Sequence, residues 1–194
     1  MDPDAVDDLC SRVASDGAAS GEDACEGPRV PHGSADDPWL LDFSANTNSG
    51  TPDGTSMVFE SALAAARTYP AEDYCEFRCA AANYLDCAAL QIIPTAGGMA
   101  AIRLAVATTL AAGDRALLPT PSFGEYAREV RLQGGDPEFV AAPELPRTDP
   151  SPYALAVVCQ PNNPTGTAYD EGTLREFATR CRDAGTVLLA DEAF

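Results

Sequence analysis

The chain has no lysine: all 12 of its basic residues are arginine, set against 30 acidic ones, for a net charge of -18 over 194 residues. No side-chain amine is therefore on hand to form a Schiff base with a carbonyl ligand, the role lysine normally fills. The shortage of positive charge excludes nucleic acid and anionic membranes as partners, because both repel such a surface. There is a single histidine, His32, and it stands in a polar stretch far from Cys75 and Cys79. The seven cysteines, at 10, 25, 75, 79, 87, 159 and 181, show no paired CxxC spacing. A zinc site needs more ligands at closer spacing, so the cysteines read as reduced, mostly buried small residues of a cytoplasmic protein. No apolar run approaches the length of a membrane span, and the Asp-rich start lacks the basic and apolar segments of a signal peptide.

What is present is enough apolar material, 45% of residues, for one domain with a real core. The acidic excess implies self-repulsion at low salt, which concentrated salt screens. Arginine and acids in place of lysine resemble the composition of halophilic archaeal proteins, so the expected setting is a high-salt cytosol.

Residues 1–38, rich in Asp, Gly, Ser and Ala, read as a mobile acidic arm, with Val6, Leu9 and Val13 at the spacing of a short helix. An extended segment starts at Trp39, followed by an Asn/Gly/Pro loop. Residues 56–67 and 72–85 read as helices divided at Tyr69-Pro70, the second with Tyr74, Phe77, Ala81 and Tyr84 on one apolar face. After Gly97-Gly98, the run 99–111 reads as a buried helix. Then strands (115–118, 138–141, 154–159, 186–190) alternate with helices (123–132, 170–184), and a proline-rich loop covers 143–152. That alternation predicts an α/β domain with a mainly parallel sheet and flanking helices. The unbroken apolar run 154–159 suits a strand covered on both faces.

Two segments carry chemistry together: Gln160-Pro161-Asn162-Asn163-Pro164-Thr165-Gly166-Thr167 after one strand, and Asp191-Glu192-Ala193-Phe194 at the end of the next. Either alone is an ordinary turn or a solvated acid. In this order, with a helix between them and both at strand ends, they resemble the cofactor-binding half of the fold-type I pyridoxal-phosphate (PLP) aminotransferases. Three further segments, Leu41–Asn48, Tyr69-Pro70 before Tyr74, and Pro121–Tyr126, are similar to threonine-phosphate decarboxylase and histidinol-phosphate aminotransferase. The resemblance runs over 39–194 and implies a partial PLP-binding large domain, truncated before its later strands, lysine segment and small domain.

By that resemblance, Asp191 would pair with the pyridinium nitrogen, and Asn163 would donate to the ring's phenolic oxygen. Phe123 would stack on the ring. Gly98 and Met99 would offer backbone N–H groups to the phosphate at a helix start, and Tyr69 would reach the phosphate of a neighbouring subunit. Each has a plainer alternative: a solvated acid, a turn, core aromatics, ordinary packing. The chain departs from the family at Met99-Ala100-Ala101, where an acid often follows the phosphate-binding pair, at Asn48-Ser49 in place of an Asn-Pro step, and at Phe194, where many members have tyrosine. No catalytic residue is assigned, because the Schiff-base lysine is absent.

The implied function is therefore the N-terminal portion of a PLP-dependent enzyme acting on an amino acid or amino phosphate, homodimeric in its intact form. It would hold PLP noncovalently at best and be inactive alone. The alternative is a noncatalytic interaction protein, or half of a split enzyme completed by a lysine-bearing partner. A Rossmann dehydrogenase is a poor fit, because Gly97-Gly98 lacks the G-x-G-x-x-G spacing.

Overall fold

Leu155–Cys159 offer no polar face, and in the computed structural model every residue of this strand, β3, is buried. It pairs in parallel with β1 (Arg115–Thr120) on one side and β4 (Val187–Asp191) on the other. β2 (Asp136–Ala141) lies outside β1, so the four-stranded sheet has the order β2-β1-β3-β4, with every pairing parallel. The structure describes residues 50–194 together with Trp39. The arm 1–38, most of the extended segment and loop that follow it, His32, Cys10, Cys25 and the Leu41–Asn48 segment lie outside the described residues.

The α-helices among the described residues are α1 (Thr55–Ala62), α2 (Cys75–Leu85), α3 (Gly98–Thr109), α4 (Glu125–Leu132) and α5 (Glu171–Ala184). Side chains alternate across a strand, and β1 and β3 use that alternation to feed two cores. Ala116, Leu118, Leu155 and Val157 point to one face, against Ile102 and Val106 of α3 and Tyr126 and Val130 of α4. Leu117, Ala156 and Val158 point to the other, against Leu145 and against Phe177 and Cys181 of α5. Phe177 and Cys181 sit four apart, on one helical stripe. Asp170 caps α5 by accepting the Thr173 N–H at 2.9 Å, and Gly185 ends it at φ 78°, a conformation that suits glycine.

Several expectations change. β2 begins at Asp136 and includes Pro137, two residues earlier than the sequence pattern suggests, which an edge strand tolerates because one side of its ladder is unpaired among the described residues. The stretch 143–152 is not all loop, since Ala142–Arg147 winds as a 3-10 helix. Helix 56–67 breaks after Ala62 and resumes as a 3-10 turn at Ala65–Arg67. α3 is buried only along Ile102 and Val106, with Leu104 41% exposed, because it lies on one face of the sheet with its outer side uncovered.

α2 forms, but its aromatic face is open: Phe77 and Tyr84 are exposed, and Ala82 is the buried residue of the helix. The helix rests on a neighbouring 3-10 turn, where the Arg78 Nε donates to the Ala89 carbonyl at 2.9 Å, rather than on the sheet. For the same reason the described cysteines are not mostly buried: Cys75, Cys79 and Cys87 are exposed, whereas Cys159 and Cys181 sit in the cores. Among the described residues no helix is long and apolar enough to cross a membrane.

Candidate functional site

In a parallel sheet all strands end at the same edge. Here the chain leaves β1 outward to β2 and leaves β3 in the opposite direction, to β4. Loops that part in this way open a crevice beyond the strand ends, the place where open α/β sheets bind ligands. A cavity of about 210 Å³ lies there. Gly98 and Met99 reach it from the start of α3, Phe123 from the loop after β1, Asn163 from the loop after β3, and Asp191 from the end of β4. The structure thus brings together five of the six positions singled out in the sequence. The sixth, Tyr69, does not line the cavity and is 99% exposed.

The β3–β4 register sets Cys159 against Asp191, and the Gln160 N–H donates to the Asp191 carbonyl at 2.8 Å. The Asp191 carboxylate has partners on both oxygens. Oδ2 accepts the Tyr126 hydroxyl at 2.5 Å, and Oδ1 accepts the Ala193 N–H at 3.1 Å. Tyr126 is 2% exposed. Burial first, and then its bond to Asp191, pushes the phenol far above its ordinary range, so it remains a donor at neutral and alkaline pH. Its ring also meets Phe123 edge to face, with centroids 5.5 Å apart at 82°.

Opposite these groups, Gly97 takes φ 85° and starts α3. A Cβ at Gly98 would meet nothing within 4 Å, so the helix start faces open space. The first-turn amides of a helix have no intrahelical acceptor and carry the positive end of the helix dipole, which makes this end of the cavity suitable for an anion.

The Asn-rich loop is fastened by a residue the sequence reading left without a role. Asn162 is 2% exposed. Its Nδ2 donates to the Pro121 carbonyl at 2.9 Å and to Thr165 Oγ1 at 2.8 Å, and its Oδ1 accepts from Ser122 Oγ at 2.7 Å. The loops after β1 and β3 are thereby tied across the crevice, which leaves Asn163 to face the cavity. Cys159 Sγ adds a second tie, accepting the Asn163 N–H at 3.4 Å and donating to the Pro161 carbonyl at 3.3 Å. The signal available for Tyr126 was its place three residues after Phe123, at the spacing of a helical turn.

A larger cavity, about 510 Å³, opens on the opposite face near Pro146, Tyr169 and Arg180. Several of its polar groups are taken up within the protein. The Arg180 guanidinium donates to the carbonyls of Pro146 and Thr148, and the Tyr169 hydroxyl donates to that of Ala142. Chemistry favours the smaller cavity, where a carboxylate, an aromatic face and a helix start converge. Among the described residues no group of three or more His, Cys, Asp or Glu could hold a metal ion.

The family described as Aminotransferase class I and II matches residues 41–194. The threonine-phosphate decarboxylase of Salmonella typhimurium is 33% identical over 168 residues, covering 80% of this chain and 45% of that protein. The histidinol-phosphate aminotransferase of Lactiplantibacillus plantarum is 29% identical over 170 residues, covering 80% and 46%. Thermus thermophilus aspartate aminotransferase with maleate superposes with a TM-score of 0.65 at 25% identity, over 72% of this chain and 41% of that one. The L-threonine-O-3-phosphate decarboxylase from Porphyromonas gingivalis shares the fold, with a TM-score of 0.63 at 23% identity, over 75% and 47%. The chain spans less than half the length of these relatives.

Proposed function

Because the chain belongs to the aminotransferase class I and II family and has the α/β, parallel-sheet fold of those PLP-dependent enzymes, we propose that it is the cofactor-cradling N-terminal portion of such an enzyme. The observation that carries this reading is the convergence of Gly98, Met99, Phe123, Asn163 and Asp191 on one cavity. The groups fit PLP, with amides for its phosphate at one end, a carboxylate for its ring nitrogen at the other, and an aromatic face and an amide donor between. Without a lysine in the chain, the fit is noncovalent.

Each group has a stated task. The Gly98 and Met99 amides bind the phosphate, and Phe123 covers the ring face and excludes water. The Asn163 amide donates to the phenolic oxygen, while Asp191 holds a proton at the ring nitrogen. Bound in this way, PLP supplies an electron sink for a bond broken in an amino substrate. The named relatives favour an amino acid or amino phosphate substrate, with the decarboxylase that serves cobalamin synthesis ahead of histidinol-phosphate transamination. This chain carries no lysine to move the proton such a reaction requires, so turnover by the chain alone is not expected.

Titration of the full chain with PLP, followed by absorbance, is the test. Saturable binding is expected, with pyridoxal, which lacks the phosphate, bound about 10-fold or more weakly, given the strength of charge-assisted bonds at a helix start. Absence of saturation, or equal affinity for pyridoxal, would sink the reading.

A second reading is favoured by two open surfaces. Among the described residues β4 is an edge strand, with Val187 49% exposed, and nothing covers the aromatic face of α2. An unpaired apolar edge invites another chain, which fits half of a split enzyme completed by a lysine-bearing partner. Co-purification with such a partner would support it, and failure of the two pieces to associate would argue against it.

The charge of -18 supports a cytosol rich in salt. Raising KCl from about 0.1 to 1 M shrinks the screening length from about 10 to 3 Å, so the midpoint of thermal unfolding is expected to rise. A midpoint that stays flat or falls across that range would remove the halophilic reading.

A further inference from the structure

Asp191 is partly exposed and closes a strand at the edge of the sheet formed by the described residues, with exposed Glu192 next to it. Nothing in that position by itself would stop its carboxylate from turning toward solvent. The ionisable side chains lining the cavity with it are Tyr126 from α4 and Cys159 from β3, whereas α3 presents Gly98, Met99 and Ile102, which carry no charge. Glu129, on the same helix as Tyr126, is occupied elsewhere, by Arg103 and Arg128. Orientation of the carboxylate therefore falls to the Tyr126 hydroxyl at 2.5 Å, together with the Ala193 N–H.

Resting on the PLP reading of the cavity, we propose that Tyr126 is a positioning residue whose buried hydroxyl fixes the Asp191 carboxylate so that it holds a proton on the ring nitrogen of bound PLP. Three features support it. The hydroxyl belongs to a side chain that is 2% exposed, and a buried hydroxyl is costly unless bonded. Its bond is directed at the one carboxylate that lines the cavity. The same ring braces Phe123, so a single side chain sets both the residue at the ring face and the one at the ring nitrogen.

The test uses the full chain loaded with PLP labelled with 15N in its ring, whose nitrogen resonance reports the pH midpoint of ring deprotonation. Tyr126→Phe is expected to lower that midpoint by about one pH unit or more, the scale of a hydrogen bond to a charged group. Asp191→Asn is expected to lower it further. If Asp191→Asn lowers the midpoint and Tyr126→Phe leaves it at the wild-type value, Tyr126 merely packs and the proposal is overturned, while the PLP reading survives. If Asp191→Asn leaves the midpoint unchanged, or the wild-type chain binds no PLP, the cavity reading itself fails and takes the proposal with it. Should Tyr126→Phe not fold by urea titration, fluorotyrosine incorporated at the tyrosines decides the matter. Its more acidic hydroxyl is a stronger donor to Asp191 Oδ2 and shifts the midpoint if the proposal holds, and an unmoved midpoint overturns it.

Discussion

Phe177→Ala is expected to lower the unfolding free energy by about 3–5 kcal/mol, the usual cost of removing a fully buried aromatic ring. Phe177 has 0% of its surface exposed and fills the space between α5 and the sheet, touching a core made of Leu117, Leu145, Ala156, Val158 and Cys181. Collapse into the void is resisted on two sides. Ala156 and Val158 belong to β3, pinned by its ladders to β1 and β4, and Leu145 lies in the 3-10 segment whose Pro146 carbonyl holds Arg180. The Arg180 guanidinium also lies 5.4 Å from the Phe177 ring centroid and would lose that contact. Against a total stability of about 5–15 kcal/mol for a domain, the loss would leave a protein close to unfolding at 25 °C. Urea titration measures it, with Phe139→Ala as comparison, a half-exposed residue expected to cost no more than about 1 kcal/mol. Equal losses from the two variants would mean that the α5 face is not a packed core.

Elements whose signals are local were legible in the sequence. The unbroken run 154–159 announced a strand covered on both faces, and Leu155–Cys159 forms an inner strand of the sheet. Asp170 and Gly185 bracket α5 within a residue of where the pattern put them. Pro137 hid the start of β2, because proline argues against a strand unless the strand's edge position is known, and edge position is set by pairing far along the chain. α3 is apolar nearly all round, so its sequence could not reveal which stripe would be covered. α2 shows the reverse failure, an aromatic face that periodicity marks out but that no described element buries.

The site divides along the same line. Asn163 and Asp191 sit in motifs read directly from the chain, each at a strand end. The groups that hold them, Tyr126, Cys159 and Asn162, were ordinary letters until the sheet order placed their strands and loops side by side. Tyr126 and Asp191 are 65 residues apart in sequence, so no local pattern could have paired them.

Asn162→Ala separates the scaffold from the ligand contacts, and its expected cost is about 2–4 kcal/mol of stability. The substitution removes three side-chain bonds at once, to the Pro121 carbonyl, Thr165 Oγ1 and Ser122 Oγ. Asn162 is itself 2% exposed, so water reaches its former partners poorly and they bear a desolvation cost. The backbone bonds from Asn162 N–H to the Thr167 carbonyl and from Gly166 N–H to the Asn162 carbonyl remain, so the turn survives while its tie to the β1 loop is lost. Asn163→Ala should behave differently: its side chain faces the cavity, so stability should change by less than about 1 kcal/mol while affinity for PLP falls about 10-fold, the value of one good hydrogen bond. Urea titration and PLP titration of both variants give four numbers. The division of labour predicts that Asn162→Ala dominates the stability loss and that Asn163→Ala loses affinity without it. If Asn163→Ala destabilises the chain as much as Asn162→Ala and leaves PLP affinity unchanged, then both asparagines are structural and the loop after β3 does not recognise the cofactor.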